Sequence, residues 1–320
     1  MVEGNKKINF VRGILYLSPA IILLAIFTFY PLIKTFIISF NYQYNYLLSS
    51  KGLFAPYNKD GWGFKNYINI FNGKNDFPHQ LVNTMIIVFV SVPISLSLSL
   101  LIAVALNSIK PFQRLLQTMF FLPYVTNTIA IGMVFSIMFE SQQGLVNTIL
   151  NMMGKSSVNW LGGNVRATLL FGSQDFTSFV VLITYIIWNS LPFKVLILLS
   201  ALQGIDKQYY QAAQIDGTSK IRTFFRITVP LLSPQIFYLL ITSFIGAFKE
   251  YTSIVAIFGN DASSVGKHNN MATVVWYIYN KIQEGGKTMG YAAAGAVVLF
   301  IIIMFFTAIN KTLEKKRVHY

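Results

Sequence analysis

Apolar residues run through this chain in six long stretches: Ile14 to Phe40, Leu81 to Leu106, Leu115 to Phe139, Phe176 to Leu202, Leu231 to Phe258 and Met289 to Ile309. A helix crosses the hydrocarbon of a bilayer in about 20 residues, so each stretch predicts a transmembrane helix. The first carries Pro19 and Pro31, is too long for a cleavable signal and lacks a small-residue cleavage site, which makes it a retained span. The expected fold is all-α: a polytopic membrane protein with six transmembrane helices. No internal repeat or low-complexity tract interrupts it, so residues 1–320 read as a single transmembrane domain without a soluble domain of its own.

The pattern changes between the fourth and fifth spans. Lys207 to Ile215 keeps helical spacing and stops at Asp216-Gly217, where glycine can take the left-handed conformation that closes a helix. A second short helix follows, its apolar residues Ile221, Phe224, Phe225 and Thr228 recurring at three and four while Lys220, Arg222 and Arg226 stay wet. Pro230 and Pro234 mark the start of the next span. A polar, basic helix-turn-helix between two membrane-length stretches is a docking surface.

Composition agrees with a membrane assignment. Hydrophobic residues make up 54% and charged residues 11%, whereas charge reaches about 25% in an average soluble domain. The chain has no cysteine, hence no disulfide framework and no thiolate metal site. The net charge of +14 would suit a nucleic-acid partner, but its distribution excludes one. Lysine and arginine concentrate in short segments: Lys6, Lys7 and Arg12; Lys110 and Arg114; Lys207, Lys220, Arg222 and Arg226; and Lys311, Lys315, Lys316 and Arg317. The remaining, longer loops carry them at less than half that density. The positive-inside rule then puts both termini and the 204–230 loop in the cytoplasm.

The first external loop, Asn41 to Gln80, is aromatic, with Tyr42, Tyr44, Tyr46, Tyr57, Trp62, Phe64 and Tyr67. Such residues suit an interfacial belt or a packed cap, and docking of an external partner is a second use for them. The third loop holds Gly144 to Asn147 and Asn159 to Leu161, and the fifth is a polar run from Gly259 to Asn270.

The loop after the fourth span resembles the EAA signature of ABC-importer permeases. Gln211-Ala212-Ala213 is followed after three residues by Gly217 and after nine more by Ile227-Thr228-Val229-Pro230, at the family's spacing. Gln211 stands where the family has glutamate and Val229 where it has leucine, so the charge that pairs with an ATPase arginine in the family is missing. Further pieces look like the carbohydrate-uptake group, the maltose-permease-like permeases for oligosaccharides and glycerol phosphate. These are Leu17 to Ala20, Phe29 to Leu32, Ser39-Phe40, Asn83-Thr84, Phe121 to Pro123, Trp188 to Phe193, Leu202 to Ile205 and Met289 to Ala293. The fifth loop departs, with Gly259-Asn260-Asp261 where the family often has Gly-Gly-Pro.

This resemblance implies the type I ABC-importer permease fold and a subunit that translocates a carbohydrate, of oligosaccharide class, across the cytoplasmic membrane. It implies ATPase coupling through Gln211, Ala212, Ala213, Asp216, Gly217, Ile227 and Pro230. It also implies partners: a second permease chain, two cytoplasmic ATPase subunits and an extracellular substrate-binding protein, with membrane lipid around them. Glycerol phosphate or another small polar solute is the alternative cargo. A stand-alone secondary carrier is the alternative class, and it leaves the 204–230 loop unexplained.

The chain's own chemistry points the same way. Gly154-Lys155-Ser156 and Gly286-Lys287-Thr288 end like a Walker A loop, but the upstream glycine position holds Ile149 in one and Lys281 in the other. ATP and magnesium therefore belong on a partner ATPase, with no cofactor expected in this chain. His79, His268 and His319 lack metal-ligand spacing, and no nucleophile, base and orienting residue cluster, so neither a metal site nor catalysis is expected.

Ionisable residues inside spans carry the remaining signal. Lys34 lies near the outer end of its span and can snorkel. Lys249-Glu250 falls deep in the fifth stretch, where two adjacent charges are costly unless they pair or face water. Glu250 shares a helical face with Ser243, Gly246 and Ala247. Lys194 follows Asn189, Ser190, Pro192 and Phe193 in the fourth span, where the proline frees a backbone carbonyl. Such groups either satisfy one another between helices or face a cavity. The resemblance favours the cavity and carries substrate contact onto Ser190, Phe193, Ser243, Gly246, Ala247 and Glu250. Aromatic stacking plus carboxylate hydrogen bonds suits a polyol.

Overall fold

The computed structural model of the chain describes residues 6–44, 61–72, 75–109, 113–162, 173–259 and 271–317. Tyr46, Tyr57, Lys110, His268, His319 and the loop over 260–270 lie outside the described residues. In chain order the helices are α1 (Lys6–Leu24), α2 (Tyr30–Ser39), α3 (Lys65–Phe71), α4 (Phe77–Ser108), α5 (Gln113–Val125), α6 (Thr128–Met138), α7 (Leu145–Met152) and α8 (Ser173–Gln203). They continue as α9 (Lys207–Ile215), α10 (Lys220–Thr223), α11 (Val229–Leu231), α12 (Ser233–Phe248), α13 (Thr252–Phe258), α14 (Val274–Glu284) and α15 (Met289–Arg317). Among the described residues the extended structure is a single antiparallel bridge, Asn41 with Trp62.

Four helices are long and apolar enough to cross a membrane alone: Arg12–Ser39, Phe77–Ser108, Phe176–Gln203 and Gly286–Thr312. Two bent pairs raise the count to six if each is one span, Leu115–Val125 with Thr128–Met138 at 95° and Lys220–Leu231 with Ser233–Phe248 at 69°. The third and fifth stretches are thus not the single continuous helices that their hydropathy predicts. In the third, Asn127 adopts extended backbone, and its side-chain oxygen accepts the N–H groups of Ile129 at 2.9 Å and Ala130 at 3.3 Å. That bond pattern starts a new helix in mid-stretch. In the fifth, α12 ends at Phe248, and Tyr251, at φ −141° and ψ −45°, leaves helical backbone before α13.

The chain divides into two compact units, Met1–Asn75 with Ile278–Val298, and Asp76–Tyr277 with Leu299–Tyr320. In the first, α1 runs into α2 through a π-helical turn, Ala25–Phe29. Leu15, Leu17, Ile22, Phe27 and Ile33 are all exposed. A helix apolar all round calls for lipid or another chain against it. Lys34 Nζ lies 5.9 Å from the Tyr30 ring centre, a cation–π contact one turn away. At the end of α2, Asn66 donates to the carbonyls of Ser39 at 2.9 Å and Asn41 at 3.1 Å. Gly290 packs there because a Cβ would stand 2.7 Å from the Asn66 amide. Ser39 and Tyr67 share a hydrogen bond of 2.7 Å, and Phe40, Phe64 and Tyr67 form an aromatic cluster. The aromatic first loop is in this part a packed cap. Burial raises the Tyr67 phenol above its ordinary pKa, against the lowering effect of the Ser39 bond.

In the second unit α4 packs along α8, with α12 against α4, α5 against α8 and α13 against α6. Gly132 permits that last approach, since a Cβ there would meet the Ala256 side chain. Two apolar clusters result. One joins Ile87, Leu182, Tyr185, Ile186, Ile254 and Trp276; the other joins Ala103, Val195, Leu198, Leu202 and Leu239. Along both α4 and α8 the clusters leave a gap at mid-length, and polar residues fill it.

Candidate functional site

The gap is a cavity of about 320 Å³. Ser91 and Ser95 face it from α4, Asn189, Ser190, Phe193 and Lys194 from α8, and Tyr124 from α5. Thr242, Ser243, Gly246 and Ala247 line it from α12, with Glu250 and Ser253 from the break and α13. All six residues assigned to substrate contact, Ser190, Phe193, Ser243, Gly246, Ala247 and Glu250, lie in this one lining. Open space surrounds the position of a Cβ on Gly246, so that glycine keeps the wall low.

Ser190 donates to the Ile187 carbonyl at 2.9 Å and accepts from Lys194 Nζ at 3.2 Å. Lys194 is buried and donates also to the Ser95 hydroxyl, which ties α8 to α4. The rings of Tyr124 and Phe193 stack, with centres 5.7 Å apart and planes inclined by 16°.

Glu250 sits where the helix breaks. Its carboxylate accepts the Ser253 N–H at 3.0 Å, and its carbonyl accepts the Thr273 hydroxyl at 2.7 Å. The strand of chain carrying Thr273 is itself pinned to α4, because Asn83 donates to the Ala272 carbonyl at 3.0 Å and Thr84 accepts the Val274 N–H at 3.1 Å. Of the two alternatives for Lys249 and Glu250, pairing or facing water, the structure shows no pair: Lys249 is exposed, and neither Lys194 nor Glu250 forms an ion pair among the described residues. Neighbouring side chains do not face each other even on a continuous helix, and here Glu250 turns to the Ser253 N–H instead.

Tyr124, Ser91, Ser95, Asn189, Thr242, Ser253 and Lys194 line the cavity beyond the six assigned residues. A signal for the α4 side existed, since Ser91, Ser95 and Ser99 recur every four residues in an apolar stretch, and all three are buried. Tyr124 gave none, because its placement depends on the bend after Val125.

The second candidate surface is the 204–230 loop. Asp206 caps α9 by accepting the Gln208 N–H at 3.0 Å. Gly217 takes φ +61°, and its neighbour Thr218 donates back to the Ala213 carbonyl at 2.9 Å, which closes the helix as its sequence predicts. Ser219 then caps α10 through the Arg222 N–H at 3.4 Å. Gln211, Ala212, Asp216, Gly217 and Pro230 are exposed, Ile227 is half-buried and Ala213 is buried. Lys220, Arg222 and Arg226 are exposed as expected. Ile221 and Phe225, expected to pack with Phe224 and Thr228, are 72% and 65% exposed. With Ile215 at 87% exposure, they give the loop an apolar tip of the kind that marks an interaction surface.

Among the described residues no three His, Asp or Glu side chains group as metal ligands. Residues 67–319 match the model of the family described as binding-protein-dependent transport system inner membrane component. An arabinooligosaccharides transport system permease protein of Halalkalibacterium halodurans is 33% identical over 290 residues, 90% of this chain and 82% of the relative. A lactose transport system permease protein of Rhizobium radiobacter is 29% identical, covering 97% of each. A crystal structure of a bacterial alginate ABC transporter, in complex with an alginate pentasaccharide-bound periplasmic protein, shares the fold with a TM-score of 0.73, at 22% identity, over 97% of this chain and 96% of that one. The chain belongs to the family of inner membrane components of binding-protein-dependent transport systems.

Proposed function

We propose that this membrane-embedded transport subunit carries a carbohydrate, of oligosaccharide class, through the α4–α8–α12 cavity. The observation that supports it is the convergence of hydroxyls, an amide, a carboxylate and a stacked aromatic pair on one cavity of about 320 Å³. That is the chemistry of polyol recognition, in which hydroxyls are hydrogen-bonded and ring faces stack. Relatives named for arabinooligosaccharides and lactose support the same cargo class.

Work is supplied from outside the chain. Two ATPase subunits carry ATP and magnesium, and they seat on the 204–230 loop of this chain and of a second permease. Gln211, Ala212, Ala213, Asp216, Gly217, Ile227 and Pro230 form or shape the docking element, with Ile215, Ile221 and Phe225 as its apolar contacts. Closure of the ATPases brings the two loops together and switches the bundles from inward- to outward-facing. A substrate-binding protein delivers the sugar externally, and both termini are cytoplasmic.

The test is obstruction of the cavity. In the reconstituted complex, Gly246→Trp is expected to abolish sugar uptake while the complex still assembles. Normal uptake by assembled Gly246→Trp complex places the sugar path elsewhere.

A further inference from the structure

Lys194 is a buried cation with neutral partners. It belongs to the cavity lining on α8, the residue is 5% exposed, and the two acceptors its Nζ reaches are the hydroxyls of Ser95 and Ser190, themselves lining residues. An ammonium has three N–H donors, so one remains beyond these two acceptors. Taking a charge out of water is costly unless a countercharge or a full set of hydrogen bonds replaces the solvent. No carboxylate among the described residues pairs with it. Glu250, the other charged residue in the lining, has its Oε1 turned to the Ser253 N–H.

We propose that Lys194 is a specificity-determining residue of this cavity and receives an anionic substituent of the transported carbohydrate, such as a uronate carboxylate. This rests on the cavity being the sugar site. A neutral hydroxyl would only repeat what Ser95 and Ser190 already supply. An anion adds the missing countercharge and a charge-assisted bond, about twice as strong as a neutral one. The rest of the lining fits the same ligand. At the break after α12, Glu250 is placed to accept hydrogen bonds from sugar hydroxyls, and the Tyr124–Phe193 stack offers a flat apolar surface to a sugar ring. The ligand so described is amphoteric in hydrogen bonding, with an acid at the Lys194 end and hydroxyl donors at the Glu250 end.

The experiment measures equilibrium binding to the assembled transporter complex in nanodiscs, without a binding protein. The probes are a neutral trisaccharide and the same trisaccharide with one residue oxidised to the uronate. Wild type is compared with Lys194→Met, Lys194→Gln and Gly246→Trp, and complex yield is recorded for each, so that one assembling Lys194 variant suffices. Wild type is expected to favour the uronate, and loss of Lys194 to lower the ratio of the two affinities by roughly ten- to a hundredfold. A wild-type ratio of one or less, or equal weakening of both probes, overturns the role of Lys194 and leaves the cavity reading standing. Unchanged binding of both probes by Gly246→Trp overturns the cavity reading, and this inference with it.

Discussion

The Glu250 carboxylate accepts the backbone N–H of Ser253 at 3.0 Å, so one residue both lines the cavity and holds an N–H of the first turn of α13. The two duties separate by mutation. Glu250→Gln keeps an oxygen for the Ser253 N–H and loses the charge; Glu250→Ala loses both. Removing a helix cap costs about 1 kcal/mol, and a hydrogen bond to a charged group is worth about 1.5–3 kcal/mol. Glu250→Gln should therefore assemble at wild-type yield yet take up sugar roughly tenfold less well at limiting concentration, while Glu250→Ala loses yield as well. Uptake per assembled complex is the deciding measurement. Wild-type uptake in Glu250→Gln would restrict Glu250 to the cap.

Gly217 tests the docking loop. It holds φ +61° with open space around its missing Cβ, so a substitution there strains the backbone rather than clashing. Left-handed backbone costs an L-residue roughly 1–2 kcal/mol, least for Asn. Gly217→Val should uncouple sugar-stimulated ATP hydrolysis by reshaping the turn, and Gly217→Asn should retain most of it. Intact stimulation in Gly217→Val would remove the turn from coupling.

Gln211 is exposed on the same loop. Gln211→Glu supplies the charge that the family's signature carries there, and should preserve or raise the stimulated ATPase rate. A severalfold drop in that rate, with assembly unchanged, would mean that the partner surface is matched to the amide.

Much of this was legible in the chain. Hydropathy located the four long apolar helices and the two bent pairs because a bilayer requires long apolar runs, and Gly217 announced its turn because few residues tolerate that conformation. Ser243, Gly246 and Ala247 were readable as one face from helical periodicity, whereas Glu250 reaches the same cavity from beyond the end of α12. What hydropathy could not register were the breaks. Asn127 and Tyr251 interrupt runs that are apolar on both sides, and the hydrogen bonds that make the breaks come from side chains or from chain remote in sequence, such as Thr273 at Glu250. Tyr124 and the true environment of Lys249 depended on those breaks.

Orientation is tested by accessibility. Lysine and arginine density predicts that tags at both termini are protected from external protease in intact cells and cut in inverted vesicles. A reporter at Asn159, in the ordered segment that Asn147 ties to the Val158 backbone at 3.0 Å, should show the reverse. The opposite pattern would place the 204–230 loop outside, where no ATPase can reach it.

The stacked pair Tyr124 and Phe193 joins α5 to α8 beside the cavity, with ring centres 5.7 Å apart. Such a pair contributes about 0.5–1.5 kcal/mol beyond its buried area, and it can act as glue between helices, as a platform for a sugar ring, or as both. Tyr124→Phe keeps both rings and should leave assembly and uptake near wild type. Phe193→Ala removes the half of the stack carried by α8 and should lower uptake at limiting sugar by roughly three- to tenfold, the range set by one stacking contact. A double-mutant cycle with Tyr124→Ala, read by thermal unfolding of the complex, reports the glue separately. If uptake per assembled complex is unchanged in Phe193→Ala while the cycle shows coupling, the rings serve only to hold α5 against α8, and sugar recognition falls to the hydroxyl and charged groups of the lining.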